Sequence, residues 1–463
     1  MDIENNQLHD DKNEPSLENE KNEESDQIRE TESASLNDPM NWSLKKKQFI
    51  VFIISSAGAI APISGTIFFP AITKIGIDLN TSQILANSII STFILLVGIT
   101  PLGWASYSDT RETRRRVYLI SLTIYVVASI ICAISNNIWQ LLAMRTFQAF
   151  GGSAVQSIGA GTISDIFIPT ERGRAFGWFN LGPIAGPVIG PAIGGYITQY
   201  FGWRFIFLFL SLYGGAILVI IYFALPETFR HTQLSLATTP LPKKRFNPFL
   251  PLALLRYPNL SLPILYISMI FSVMYVQSIL VPKTFSTKFN LSPSNIGLVF
   301  LSPGIGYSLG SVVSGSYSDF ILAKNRKKYG SIYPEMRISS IWFGSVLVPV
   351  SLLAYGWFIV KNVHIALPIL SMFFFGFGAF IVFSGSSTYL IDAFPGQSAS
   401  AIAVNNCFRF TAASIMSLAS VPLENVLGTG LLYTLLAIFI TLGTSCMVIV
   451  YFKGKEWTER FQK

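Results

Sequence analysis

The chain has 463 residues, of which 51% are hydrophobic and 13% are charged, and its mean hydropathy is +0.49. A soluble domain carries about 25% charged residues, so this composition excludes an ordinary soluble protein and indicates that lipid surrounds most of the chain. The charge is also divided. Residues 1–40 hold 13 acids and 3 Lys or Arg, whereas the remaining residues hold 12 acids and 30 Lys or Arg. An acidic tail therefore precedes a basic, apolar body.

The acidic tail, residues 1–42, is predicted to be disordered and cytoplasmic. It holds too few apolar residues to bury a core that would offset the entropy of ordering it. The first apolar run begins only near Phe49. The sequence leaves open whether this tail regulates the body.

Twelve apolar runs follow, each long enough to cross a membrane as a helix of about 20 residues. They lie at roughly 48–70, 84–106, 117–135, 138–165, 175–198, 204–225, 259–281, 293–318, 336–360, 364–390, 398–420 and 428–452. A polar segment divides them six and six. We therefore predict an all-α membrane protein of two pseudo-symmetric six-helix bundles, at 43–225 and 259–452, with a cytoplasmic central loop at 226–258 and a cytoplasmic tail at 453–463.

The positions of Lys and Arg predict the orientation, because these residues are enriched on the cytoplasmic side of membrane proteins. If the N-terminus is cytoplasmic, the outer loops hold only five basic residues, Lys74, Arg204, Lys283, Lys288 and Lys361. Both termini are therefore predicted to be cytoplasmic in a multi-pass protein. We place it in the plasma membrane, although the residues alone do not separate that membrane from an internal one.

An internal repeat supports the division into halves. Ser-Tyr-Ser-Asp ends at Asp109 after the second run and at Asp319 after the eighth, and a basic cluster follows both copies. A second pair, Asp165 and Asp392, ends the fourth and tenth runs. Two pairs at matching positions indicate a duplicated bundle. Parallel halves are a recurrent transporter architecture, with the substrate site near the membrane midplane between them.

Three stretches resemble signatures of the major facilitator superfamily. GWASYSDTRETRRRVYL, residues 103–119, resembles its loop between helices two and three, although Ala105 and Glu112 stand where glycines are usual. LLAMRTFQAFGG resembles its fourth-helix signature, with Ala149 replacing a glycine. GPVIGPAIGGY matches the antiporter signature of the fifth helix at Gly186, Gly190, Pro191, Gly194 and Gly195.

A fourth stretch, TYLIDAFPGQSASAIAVNNCFRF, resembles fungal twelve-spanner drug:proton antiporters of the quinidine-resistance type, and the resemblance covers residues 42–452. It implies a proton-coupled antiporter that exports drugs or amphiphilic metabolites, such as organic acids or polyamines, by alternating access. A passive facilitator of the same fold and a non-transporting membrane sensor remain alternatives. We expect a monomer that is not an enzyme and binds no nucleic acid.

Charged residues at the cytoplasmic edge are predicted to act in gating. The resemblance places Asp109 against the start of helix eleven, where its carboxylate would meet the positive end of the helix dipole. Ion pairs that form in one conformation only would bias the exchange between two states. The alternative is that these arginines only fix the orientation of the chain. The gating candidates are Asp109, Arg114, Arg115, Arg116, Asp165 and Asp319.

Arg145 lies inside a predicted helix, where a charge costs about 2.5–3.5 kcal/mol on insertion scales and usually marks function. No predicted span has an acid at its middle. We expect Arg145 to bond the carbonyls of a broken helix, or Gln148 and Gln156, and to act in proton coupling. The alternative is a structural clamp between helices. Arg409, in contrast, is expected to extend to the cytoplasmic interface.

The fifth-helix glycines are expected to allow bending and close packing against neighbouring helices. Amides and aromatic rings at membrane depth are the candidate substrate ligands, because an unpaired polar group is costly there. They are Gln148, Gln156, Asn180, Tyr275, Gln277, Tyr307, Asn405 and Asn406. Such a cavity suits amphiphilic or weakly charged molecules. The chain has no Walker A pattern and no cysteine spacing typical of metal sites, so no metal or cofactor is predicted.

Overall fold

The computed structural model describes residues 38–229, 250–329, 334–394 and 398–462. Most of the acidic tail and residues 230–249 of the central loop lie outside the described residues, so the predictions for them are not addressed. Within the described ranges, the regular elements are α-helices and short 3-10 helices.

Each predicted apolar run falls on a helix, and the helices are numbered α1 to α12 here. The first ten are α1 (Leu44–Asp78), α2 (Gln83–Thr110), α3 (Arg115–Ala133), α4 (Ile138–Ile166), α5 (Pro169–Tyr200), α6 (Arg204–Ala224), α7 (Pro258–Phe289), α8 (Pro293–Val299 and Leu301–Tyr329), α9 (Trp342–Val360) and α10 (Ala366–Ala393). A last helical stretch, Ser398–Gln462, is divided at Gly428, whose φ is 73°. We name its parts α11 (398–427) and α12 (429–462).

Nine stretches of the described chain are long and apolar enough to cross a membrane. The last of them contains both α11 and α12. Helices α4 and α5 are not among the nine, and both are rich in glycine and polar residues. Their glycines let them pack closely on neighbouring helices, which lowers the mean hydropathy of both.

Helix α1 is broken rather than continuous. It consists of Leu44–Gly58, Ile60–Thr66, a 3-10 turn at Phe69–Ala71 and Ile72–Asp78. Prolines at 62 and 70 lack the backbone N–H that a helix interior requires, which explains breaks in this region. The break leaves carbonyl groups near the end of Ile60–Thr66 without helical donors.

Each half of the chain has its own hydrophobic core. One cluster of buried residues lies wholly within residues 50–225 and includes Trp203, Tyr118 and Tyr125. The other lies mainly within 254–450, and a few residues of the first half, including Phe93, join it. The two halves are therefore separately packed bundles that meet along one interface.

Two helix pairs form most of this interface, α2 with α11 and α5 with α8, and the broken part of α1 adds contacts with α7 and α8. We call the end of the molecule that carries Arg114 and Arg337 the basic end, and the opposite end the far end. At the far end, Ser91 contacts Ser417, and the hydroxyl of Ser414 donates to the carbonyl of Ser91 at 2.9 Å.

The second helix pair is equally close. A methyl group placed on Gly195 of α5 would lie 2.3 Å from the carbonyl oxygen of Pro293 in α8, and one on Gly297 would lie 2.5 Å from that of Pro191. The far end is therefore closed by direct contact between backbones.

Helices α5 and α8 separate toward the basic end. A methyl group placed on Gly177 of α5 or Gly315 of α8 would meet no atom within 4 Å. These glycines lie eighteen residues, about five helical turns, from Gly195 and Gly297 and on about the same helix faces. The two bundles are therefore in contact at the far end and apart along α5 and α8 at the basic end.

Candidate functional site

Arg145 of α4 is fully buried and has two acceptors. Its Nη1 donates to Oε1 of Gln148 at 2.6 Å, and its Nη2 donates to the carbonyl of Ser64 at 3.1 Å. Ser64 lies in the last turn of the Ile60–Thr66 piece of α1, where carbonyls lack intrahelical donors. Arg145 thus uses a carbonyl of a broken helix and Gln148. Gln156 is not among its hydrogen-bond partners in the described chain.

Aromatic rings from three other helices surround the Arg145 guanidinium. Its central carbon lies 4.5 Å from the ring centre of Phe68, 4.1 Å from that of Phe93 and 6.0 Å from that of Phe207. Gln148 in turn donates from Nε2 to Ser129 of α3 at 2.6 Å. Five helices of the first half therefore meet around this cation, and the Gln148 amide is engaged within the bundle.

The glycines of α5 form two contact surfaces. The first surface, at every fourth residue of α5, packs on α1. A methyl group on Gly186 would lie 2.5 Å from Pro62, and one on Gly190 would lie 2.5 Å from Thr66. One on Gly194 would lie 1.8 Å from the carbonyl oxygen of Ile67. The other surface, at Gly195 and Pro191, faces α8. The antiporter signature thus packs α5 against its own bundle and against the opposite one.

At the basic end, Arg114 joins α2 to α4. Its Nη1 donates to Asp109 at 2.6 Å and to the hydroxyl of Ser108 at 2.9 Å, while its Nε donates to Asp165 at 2.9 Å. Burial lowers the pKa of Arg114, but the carboxylates of Asp165 and Asp109 outweigh this and hold it above its ordinary value. Of the three arginines considered for this role, Arg114 is the one that pairs with Asp165.

The neighbouring arginines have different surroundings. Arg115 donates from Nη2 to the carbonyl of Tyr222 at 2.5 Å, and Arg116 is exposed. In the described residues, the ion pair of Asp109 is with Arg114 of its own half, and its side chain is 65% exposed. The prediction that Asp109 meets helix eleven concerns a conformation other than this one.

The second half repeats the Arg114 network. Nε of Arg337 forms an ion pair with Asp392, and its Nη1 donates to Ser318 at 3.1 Å. Arg337 precedes α9 as Arg114 precedes α3. Both pairs of aspartates were predicted from the sequence but Arg337 was not, and the signal for it was its position before the third helix of its half. The side chain of Asp319 lies outside the described residues.

The remaining substrate candidates lie in different environments. Tyr275 and Tyr307 are 8% and 5% exposed. Gln277 and Asn405 are more deeply buried, and Nε2 of the first and Oδ1 of the second have no hydrogen-bond partner in the described chain. Asn180, in contrast, is exposed.

Arg409 corrects one prediction. It was expected to extend to the cytoplasmic interface, but its guanidinium is enclosed by Phe271, Phe383 and Phe410. Its position explains the difference. Arg409 lies eleven residues after the start of α11, which is about 16 Å along a helix and too deep for its side chain to reach the interface.

Comparisons with known proteins identify the family. The sequence model of the Major Facilitator Superfamily matches residues 54–418. The chain belongs to this superfamily. The MFS-type transporter penM of Penicillium rubens is 32% identical over 89% of this chain and 85% of its own. The MFS antiporter QDR3 of Candida albicans is 26% identical over 90% and 79%, and quinidine resistance protein 3 of Saccharomyces cerevisiae is 24% identical over 92% and 85%.

Solved structures agree on the fold of this major facilitator protein. A D-xylose–proton symporter superposes with a TM-score of 0.68 at 15% identity, over 86% of this chain and 96% of its own. A bacterial homologue of the lysosomal transporter Spinster, solved inward-facing and unoccupied, superposes with a TM-score of 0.65 at 13% identity, over 90% and 96%. This protein is therefore a membrane transporter for small molecules, not an enzyme.

Glu227 is a further residue of the transporter that sequence reasoning missed. It follows α6, and its Oε1 accepts from the backbone N–H of Arg114 at 2.8 Å while its Oε2 accepts from the hydroxyl of Thr113 at 2.6 Å. Burial raises the pKa of Glu227, but these hydrogen bonds outweigh it and hold the pKa below its ordinary value. The carboxylate therefore caps the start of α3.

We expect Glu227→Gln to lower the Tm of the purified transporter at neutral pH by about 1–3 °C, as for loss of a half-exposed capping carboxylate. Because the folded pKa is depressed, this stabilisation is present above the ordinary carboxyl range and is lost as pH falls through the folded pKa. The Tm of the wild type and that of Glu227→Gln, measured from pH 7 to pH 3.5, should therefore converge at the acid end. Glu171→Gln, an exposed acid at the same end, is the control, and an equal effect there would contradict the capping role.

Proposed function

We propose that this transporter is a proton-coupled antiporter that exports drugs or amphiphilic metabolites, organic acids or polyamines among them, from the cytoplasm. The names of its relatives support this. One is called an antiporter, one is named for quinidine resistance, and a 29% identical relative from Aspergillus niger is called citrate exporter 1. We place it in the plasma membrane as a monomer, with the two bundles divided at the 226–258 loop.

The observation that carries the proposal is the closed far end together with the open basic end. Under the positive-inside rule the basic end and both termini are cytoplasmic. The space between the bundles then opens to the cytoplasm, as an exporter requires for loading. At Gly195 and Gly297 the backbones of α5 and α8 are in direct contact. Such a contact limits leakage of protons while the substrate loads.

The two arginine networks supply the elements that alternate. Arg114 and Arg337 each tie the ends of three helical segments in one half. They keep each bundle rigid at the basic end, and their carboxylates become available to the opposite bundle when the basic end closes. Asp109 meeting α11, and Asp319 acting likewise in the second half, are the contacts we propose for that closed state.

The proton-coupling group is assigned to Arg145, the buried cation of the first bundle. In the described spans no acid lies at mid-depth, whereas a carboxyl is the simplest group for this task. That observation favours a second candidate function, a passive facilitator of the same fold. Deletion of residues 1–40 distinguishes a transporter from a sensor that signals through its tail. Transport is expected to survive the deletion, whereas signalling is not.

The test uses the purified full chain in proteoliposomes that contain a pH-sensitive dye, with a panel of amphiphiles added outside. Antiport predicts a pH change that depends on the amphiphile and is lost in Arg145→Ala at equal insertion. Entry of the amphiphile without proton movement contradicts coupling and leaves the facilitator. The control variant is Arg204→Ala, because this arginine lies at the far end and donates one hydrogen bond, to Ser135.

A further inference from the structure

Arg409 is a cation with an enclosed guanidinium and no ion pair among the described residues. Its Nη2 donates to Oδ1 of Asn406 on the same helix at 3.0 Å, and its Nε, although enclosed, has no acceptor in the described chain. Arg145 also has an Nε without an acceptor in the described chain, but two of its other nitrogens donate to a backbone carbonyl and to Gln148. An enclosed charge with an unmet donor is costly at this depth. A ligand that supplies an acceptor would remove that cost.

The guanidinium lies between three aromatic rings. Its central carbon is 4.3 Å from the ring centre of Phe271 in α7, 4.8 Å from that of Phe383 in α10 and 4.6 Å from that of Phe410. Rings stack against the faces of a guanidinium and leave its edge free for hydrogen bonds. The edge of a guanidinium matches the two oxygens of a carboxylate.

The site is placed where a substrate can arrive. Phe410 packs against Gly98 at the interface between the bundles, since a methyl group on Gly98 would lie 2.5 Å from its Cβ. Arg409 is the adjacent residue and is partly exposed. It therefore lies next to the central interface.

An apolar cleft adjoins this cation. It lies between α7 and α10, and it shares Phe271 and Phe383 with the rings around Arg409. Its lining is entirely apolar: Ile267, Ile270, Phe271, Met274, Ala379, Phe380 and Phe383. The cleft is narrow, with room for about one water molecule, so α7 and α10 must move apart to admit the hydrophobic part of a molecule whose negative group meets the cation.

We propose that Arg409 binds the carboxylate of an amphiphilic anionic substrate whose apolar part occupies the α7–α10 cleft. The inference rests on the proposed export function and narrows its substrate class from amphiphiles in general to hydrophobic carboxylates. Arg409 is then the residue that determines specificity for charge, and the cleft determines specificity for size.

The experiment measures binding to the purified full chain in nanodiscs, by thermal shift and equilibrium dialysis. The probes are benzoate, 3-phenylpropanoate and 2-naphthoate, each paired with its neutral amide. We expect at least one carboxylate to bind at least tenfold more tightly than its amide. Arg409→Gln should remove that preference, and Arg409→Lys should keep part of it. The unliganded Tm of each variant shows whether it is folded, and Arg204→Gln is the matched control.

A second variant tests the cleft without touching the cation. Ala379→Leu adds bulk to the cleft. It is expected to weaken the binding of 2-naphthoate at least fivefold more than the binding of benzoate. The inference is overturned if no carboxylate is preferred over its amide, or if Arg409→Gln binds carboxylates as wild type does. If the inference is overturned but neutral amphiphiles still drive proton movement in proteoliposomes, the proposed antiport function stands. Carboxylate binding that depends on Arg409, without proton movement in proteoliposomes, supports the inference and contradicts antiport.

Discussion

Gly195→Ala is expected to shift the transporter about 5- to 150-fold toward a conformation that is open at the far end. The added methyl group would lie 2.3 Å from the carbonyl oxygen of Pro293, and overpacking of this kind costs about 1–3 kcal/mol. The cost applies only while the far end is closed, because α5 and α8 separate when it opens. A change of about 1.4 kcal/mol is a factor of ten in the equilibrium, so transport should fall while the fold remains intact.

The conformational shift is measured as a distance between two spin labels at the far end, at Tyr200 and Leu298, after replacing the three native cysteines. The label distance should lengthen in Gly195→Ala. Gly177→Ala is the matched control on the same helix, because its methyl group meets no atom within 4 Å. An unchanged distance in Gly195→Ala would show that this contact does not hold the far end closed.

The adjacent variant should behave differently. Gly194 packs α5 on α1 within one bundle, where a methyl group would lie 1.8 Å from the carbonyl oxygen of Ile67. Because this contact is needed in every conformation, Gly194→Ala should lower the Tm instead of shifting the label distance.

Arg145→Met is expected to abolish transport and to lower the Tm of the purified protein. Hydrogen bonds to a charged group contribute about 1.5–3 kcal/mol each, and Met leaves the Ser64 carbonyl and the Gln148 amide oxygen without their donor. Arg145→Lys keeps the charge but not the planar group that stacks between Phe68 and Phe93. We expect it to retain less than about a tenth of the flux, which corresponds to a loss of at least about 1.4 kcal/mol.

Thermal unfolding and substrate flux, measured on the same preparations, separate the two roles of Arg145. Arg204→Met is the control, since this arginine also contacts an aromatic ring, that of Trp203, but lies at the start of α6. If Arg145→Lys transports normally, a positive charge alone suffices and the geometry around it has no role. If Arg145→Lys has a normal Tm but no longer moves protons, the result supports a role of Arg145 in proton coupling and not a purely structural role between helices.

Much of the architecture was predictable because lipid imposes a length and a composition on each span. Some helices are longer than the apolar runs that predicted them. For example, α7 continues to Phe289, whereas the predicted run ended near residue 281. The breaks in α1 were less predictable. Prolines mark the region, but the carbonyl that Arg145 uses is defined only once α4 packs beside it.

The candidate site was predictable in part. Residue types at mid-depth identified Arg145, Gln277 and Asn405, but their partners come from other helices, and one helix's sequence does not encode which neighbour it faces. Arg337 was missed for a geometric reason. Arg114 lies five residues after Asp109, whereas Arg337 lies eighteen after Asp319, because the second connection is longer. Arg409 was misplaced because its distance along α11 was not weighed against the reach of its side chain.

The make-up of the closed far end determines how this contact responds to pH and salt. Serine hydroxyls, glycine backbone and apolar rings make the contacts described across it, and none of these groups gains or loses a proton between pH 4 and pH 9. An acidic or salty environment is therefore not expected to loosen this closure. The ion pair of Lys283 and Glu424, at 2.8 Å near the same end, joins α7 to α11 within the second bundle and is not one of these contacts.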